Sequence, residues 1–141
     1  MVGVGQKYRD TKMPGSDDLL EFYIEIVDVY RDGFRELASI VEKHSLVGFG
    51  CYFGKDRSGI ASYLLGKKYG LPFNIILEDY GKSEAALLEN IDCLSAHWEK
   101  RNISRQAYAT RLRCRNQTIL ALDKYVTGKY GSVEAYLQER I

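Results

Sequence analysis

Cys51 is followed six residues later by Arg57, then Ser58 and Gly59, so that Cys51-Tyr52-Phe53-Gly54-Lys55-Asp56-Arg57-Ser58-Gly59 fits the spacing C-x5-R-[ST]-G. A loop of this length wraps one tetrahedral oxyanion with the successive backbone N–H groups of Tyr52, Phe53, Gly54, Lys55, Asp56 and Arg57. A helix opening behind it adds its positive end. Phosphate is the guest such a cradle suits. Cys51 sits at its base, where amides, helix dipole and Arg57 favour the thiolate, the form that attacks. Arg57 offers a planar fork that holds two phosphoryl oxygens and follows them into the transition state. Ser58 can donate its hydroxyl to the sulfur and so improve it as a leaving group. Asp56 is the only carboxylate inside the loop and the candidate proton donor. Its other reading is structural, tying down loop amides or pairing with Arg57. Lys55 is either a second positive charge at the rim, favouring a substrate more anionic than one phosphate, or an ordinary solvated side chain.

These residues need elements to hold them. Residues 45–50, Ser-Leu-Val-Gly-Phe-Gly, are short, apolar and bounded by polar residues and glycine, which predicts a strand buried on both faces running into Cys51. Residues 58–69 predict the helix behind the loop, with Gly70 as its C-terminal stop. Upstream, Asp17 and Asp18 suit a helix start, and Phe22, Ile26, Val29, Leu37, Ile40 and Val41 continue a helical spacing to about Lys43, as one helix or two abutting at Gly33. Downstream, helices are expected over residues 73–80, 83–99, 104–127 and 132–140, the last three opened by serine caps. The expected fold class is α/β, mostly helical, with a small parallel sheet whose central strand delivers the loop, all within a single domain spanning 1–141.

The loop resembles that of the cysteine-dependent tyrosine phosphatases, in the bacterial and fungal branch whose motif reads H-C-x-x-G-K-D-R-[ST]-G. Cys51, Gly54, Lys55, Asp56, Arg57, Ser58 and Gly59 match it residue by residue. Leu77-Glu78-Asp79-Tyr80 resembles the family's helix containing D-Y, and Tyr130-Gly131-Ser132-Val133-Glu134-Ala135-Tyr136-Leu137 resembles its ending. The resemblance implies that Asp56 serves as acid, that Lys55 contacts substrate, and that the substrate is a phosphotyrosine, phosphoinositide or small-molecule phosphate. Two departures stand out. Gly50 replaces the family's histidine, and about fifty residues precede Cys51, where family members carry several strands; Tyr8-Arg9-Asp10 is at best a vestige of one of their motifs.

Composition narrows the partners. With 141 residues, 45% of them hydrophobic, and two prolines, the chain folds rather than staying disordered. A net charge of +1 excludes a global field toward nucleic acid or an acidic membrane. Residues 100–115 hold Lys100, Arg101, Arg105, Arg111, Arg113 and Arg115, but not on one helix face, so a solvated surface is expected there. Three cysteines form no disulfide framework and no zinc spacing, and Cys93 and Cys114 read as core residues. No apolar leader or spanning segment is apparent, so a cytoplasmic location is expected, without integral membrane segments. Neither metal nor organic cofactor is called for, because amides, guanidinium and helix dipole supply the positive field. A buried strand with one candidate neighbour, residues 2–8, leaves an open edge, which predicts a homodimer or a partner chain completing the sheet. The alternative to an enzyme is a non-catalytic phosphate-binding module, or one subunit of a split phosphatase.

Overall fold

Leu19, Phe22, Tyr23, Ile26 and Val27 recur at three- and four-residue steps, and all are buried on one face of α1, Leu19–Val29. Val29 lies off that face and is 52% exposed. The computed structural model describes residues 19–51 and 53–138. The helix start expected at Asp17, the strand-like residues 2–8 and the segment Tyr8-Arg9-Asp10 fall outside these, as do Tyr52 and residues 139–141. Tyr30, with φ −109° and ψ 27°, breaks the first helical run, and α2 follows over Arg31–Lys43 with Gly33 inside it.

No strand occurs among the described residues, which corrects the expected α/β fold with its small parallel sheet: the described chain is all helical. Residues 44–51 are irregular. Leu46 in their middle is 90% exposed and Phe49 is 43% exposed. An apolar run marks a segment able to pair, but a strand exists only when a neighbour supplies the other half of the ladder. Among the described residues, none does. The case for a second chain beside a buried strand thereby loses its premise.

The helix behind the loop is α3, Arg57–Lys68, which buries Ile60, Ala61, Tyr63 and Leu64 and packs chiefly on α1, α4 (Phe73–Glu89) and α8 (Val133–Leu137). Two glycines let α4 come close. A Cβ on Gly66 would stand 2.9 Å from Ile76 Cγ1, and one on Gly59 would stand 3.1 Å from Tyr80 Cδ1. Gly70, at φ +75°, ends α3 where expected: its N–H reaches Lys67 O at 3.2 Å and that of Leu71 reaches Gly66 O at 2.9 Å.

The expected helices 73–80 and 83–99 are divided differently. α4 runs through Gly81 to Glu89, a 3-10 turn covers Ile91–Leu94, and α5 is Ser95–Lys100. The expected helix 104–127 is likewise two, α6 (Arg105–Arg111) and α7 (Asn116–Tyr130). Between them Leu112 and Cys114 turn inward, and the Cys114 N–H finds the Glu84 carboxylate at 2.9 Å instead of a helical carbonyl. Ser104 and Ser132 do cap their helices, accepting from the N–H of Ala107 at 3.1 Å and Ala135 at 3.0 Å.

Among the described residues, two apolar clusters result. The larger joins α1, α2, α3, α4, α7 and α8 around Tyr23, Ile60, Leu64, Ile119, Leu122 and Tyr136. The smaller gathers Ile91, Tyr108 and Leu112, with Phe53 and Trp98 against them. Among the described residues no helix is long and apolar enough to cross a membrane.

Candidate active site

The loop turns at Gly54, whose φ of +70° is left-handed space that any other residue would enter with strain. It then passes Asp56 and starts α3 at Arg57. Asp56 holds the capping position but caps no amide with its side chain. At the opening of α3, Ser58 uses both its donors on the sulfur: its N–H lies 3.4 Å and its Oγ 3.2 Å from Cys51 Sγ. Burial alone pushes the Cys51 thiol up. The Ser58 hydroxyl and N–H, the Gly54 N–H and the Arg57 charge together outweigh it, so the thiol titrates below its ordinary value. Gly50, where the resemblance has histidine, is exposed with open space around it, and the sulfur's support comes instead from the helix side.

A first expected outcome follows from the sulfur's donors. A hydroxyl bond to a thiolate is charge-assisted and contributes about 1.5 kcal/mol at a part-buried site. One pKa unit corresponds to about 1.4 kcal/mol. Ser58→Ala should thus raise the Cys51 pKa by about one unit. The thiolate is the basic form, so the acid limb of kcat/KM against pH moves to higher pH by the same amount. The pH dependence of Cys51 alkylation checks this without any substrate.

Lys55 and Asp56 pair with each other and with α1. Lys55 is 2% exposed, not at the rim, and its Nζ donates to Asp56 Oδ1 at 2.6 Å. The same oxygen accepts from the Tyr23 hydroxyl of α1 at 2.7 Å, and that hydroxyl lies 2.8 Å from Tyr80 OH of α4. Phe53 points the opposite way, into the smaller cluster, with its ring edge-on to His97 at 5.3 Å between centroids. His97 Nδ1 shares a 2.7 Å hydrogen bond with Tyr108 OH. The loop thus gathers Cys51, Gly54, Arg57 and Ser58 around one point, while Lys55, Asp56 and Phe53 anchor it to the two clusters.

Tyr23 was not singled out in the sequence, where it is one more residue beside Phe22 in an apolar stripe. Tyr80 carried a signal only through the resemblance. Of the other cysteines, Cys114 is buried as expected, and burial pushes its thiol up to about 11. Cys93 is exposed, against the expectation of a core residue. His44 Nδ1 bonds Ile40 O at 2.9 Å, the role of a helix C-terminal residue. In the basic run, Arg105 pairs with Asp92 at 2.9 Å and Arg115 with Glu84 at 3.5 Å. Beside the loop, a cavity of about 660 Å³ between α3 and α4 is lined by Phe49, Gly54, Gly59 and Tyr69, among others; neither Cys51 nor Arg57 lines it.

A cysteine sulfur under the Ser58 amide at the start of a helix, with an arginine opening that helix, is an arrangement that suits an anion. The family model described as the tyrosine phosphatase family matches residues 3–141, and the chain belongs to that family, whose general activity is phosphatase. Comparison with curated proteins and with solved structures gives no match.

Proposed function

We propose that this chain hydrolyses phosphate monoesters through a cysteinyl-phosphate intermediate. The observation that carries the reading is the pair of Ser58 donors on Cys51 Sγ at the start of α3, beside Arg57. A phosphate dianion sits on the loop amides and the Arg57 fork. The Cys51 thiolate forms the S–P bond in line as the P–O bond to the alcohol breaks, and the proton on Asp56 moves to the departing oxygen. In the second step water attacks phosphorus, its proton returns to the Asp56 carboxylate, and the S–P bond breaks to give inorganic phosphate and the thiolate, which Ser58 receives by hydrogen bond.

On substrate class, the buried Lys55 argues for a single phosphate rather than a polyphosphorylated headgroup, because its charge is spent on Asp56. Aryl phosphates, phosphotyrosine among them, are the substrates the reading favours. The deciding experiment offers the native chain an aryl phosphate in the presence of a chelator, with and without vanadate. Phosphate release blocked by vanadate, together with a phosphoryl adduct on the Cys51 peptide after a denaturing quench, is expected. Phosphate binding with no release and no adduct would replace the reading by that of a non-catalytic phosphate-binding module.

A further inference from the structure

Asp56 is a loop residue whose carboxylate is governed from outside the loop. Tyr23 is fully buried and Tyr80 is 4% exposed, and their rings meet edge-to-face at 6.3 Å between centroids. Each phenol has one proton to give. Tyr23 gives its own to Asp56 Oδ1, so the 2.8 Å contact between the two hydroxyls is filled by Tyr80 donating to Tyr23. The donors therefore run in one direction, from α4 through α1 to the loop. Burial, reinforced for Tyr23 by the Asp56 charge, holds both phenols in the protonated form that donates. Lys55 enters the same oxygen and lies 5.9 Å from the centre of the Tyr23 ring.

Both donors converge on Oδ1, and the Asp56 side chain is 25% exposed. An Oδ1 that is carboxylate oxygen or acid carbonyl accepts hydrogen bonds in either protonation state. Nothing in the network has to rearrange when a proton arrives at or leaves the other oxygen, which is the property a reversible acid needs.

We infer that Tyr23, backed by Tyr80, is a positioning residue for Asp56: it fixes Oδ1 so that Oδ2 carries the proton to the leaving oxygen. This rests on the phosphatase reading above. In the step concerned, the Oδ2–H bond breaks as the O–H bond of the alcohol forms, and Asp56 is left as a carboxylate still bonded through Oδ1.

The test compares an alkyl phosphate, whose alkoxide needs a proton, with an aryl phosphate bearing a good leaving group. Tyr23→Phe keeps the ring and removes the bond. It should lower kcat on the alkyl phosphate roughly tenfold or more while leaving the aryl phosphate within about twofold. KM and vanadate affinity should not change. In an Asp56→Asn background the same change should cost nothing further, because its effect passes through that carboxyl. Tyr80→Phe should show the same substrate pattern more weakly, and it carries the comparison if Tyr23→Phe fails to fold. Equal losses on both substrates, a loss that adds in full to that of Asp56→Asn, or a Tyr80→Phe with unaltered substrate preference in place of an unfolded Tyr23→Phe would each overturn the inference while native turnover stands. A native chain inert on both substrates removes the phosphatase reading, and this inference with it.

Discussion

Cys51→Ser should abolish turnover, by about four to six orders of magnitude, while phosphate and vanadate remain bound. The size of the loss comes from the nucleophile's protonation. The loop lowers the thiol pKa with two donors from Ser58, the Gly54 N–H and the Arg57 charge, which favours the attacking thiolate over the thiol. A serine hydroxyl in the same place stays protonated, and Asp56 holds its own proton for the leaving oxygen in that step, so it is no base for the hydroxyl. The cradle itself is untouched, since its amides and Arg57 do not depend on the sulfur. Calorimetric titration with phosphate, alongside steady-state hydrolysis of an aryl phosphate, separates the two quantities. Turnover that survives the substitution would remove the cysteinyl-phosphate mechanism outright.

The second large effect belongs to Arg57→Lys. The substitution keeps a positive charge at the opening of α3 but replaces a rigid fork by a point charge, so it tests geometry rather than charge. Loss of one well-placed donor to a developing oxyanion costs about 3 kcal/mol, or on the order of a hundredfold in kcat. Because the fork also holds the ground-state dianion, KM should rise as well. The acid limb of the pH profile should stay close to where it was, since the cation that helps lower the Cys51 thiol is still present. A pH profile displaced to the same extent as in Ser58→Ala would mean that Arg57 acts mainly on the sulfur and not on the phosphoryl oxygens.

The site was more legible in the sequence than the fold that holds it, for a physical reason. The loop is local chemistry: nine consecutive residues fix the sulfur, the turn at Gly54, and the arginine and serine at the helix opening. All of these can be read without knowing what surrounds them. A strand is a relation between two segments. Residues 45–50 display the apolar content of one, yet Leu46 ends up 90% exposed, because content does not supply a neighbour. The directions taken by Lys55 and Asp56 were hidden for the same reason. They are set by Tyr23, 33 residues upstream of Asp56, and by Tyr80 on another helix. Helix limits failed where a distant partner intervened, as at Cys114, whose N–H goes to Glu84. They held where the stop is built into the chain itself, as at Gly70 and at the serine caps before α6 and α8.

The attachment of the loop to both apolar clusters bears on how the protein fails when heated. Lys55 and Asp56 tie it to the larger cluster through Tyr23, and Phe53 ties it to the smaller one against His97. The smaller cluster has three fully buried members, Ile91, Tyr108 and Leu112, carried by a 3-10 turn, a two-turn helix and the irregular stretch after it. Regions with few buried contacts open at lower free energy than the body of a fold. Warming should therefore release the Phe53 side of the loop while the larger helical cluster is still folded, so inactivation runs ahead of the loss of helical signal and catalysis has a lower melting point than the molecule.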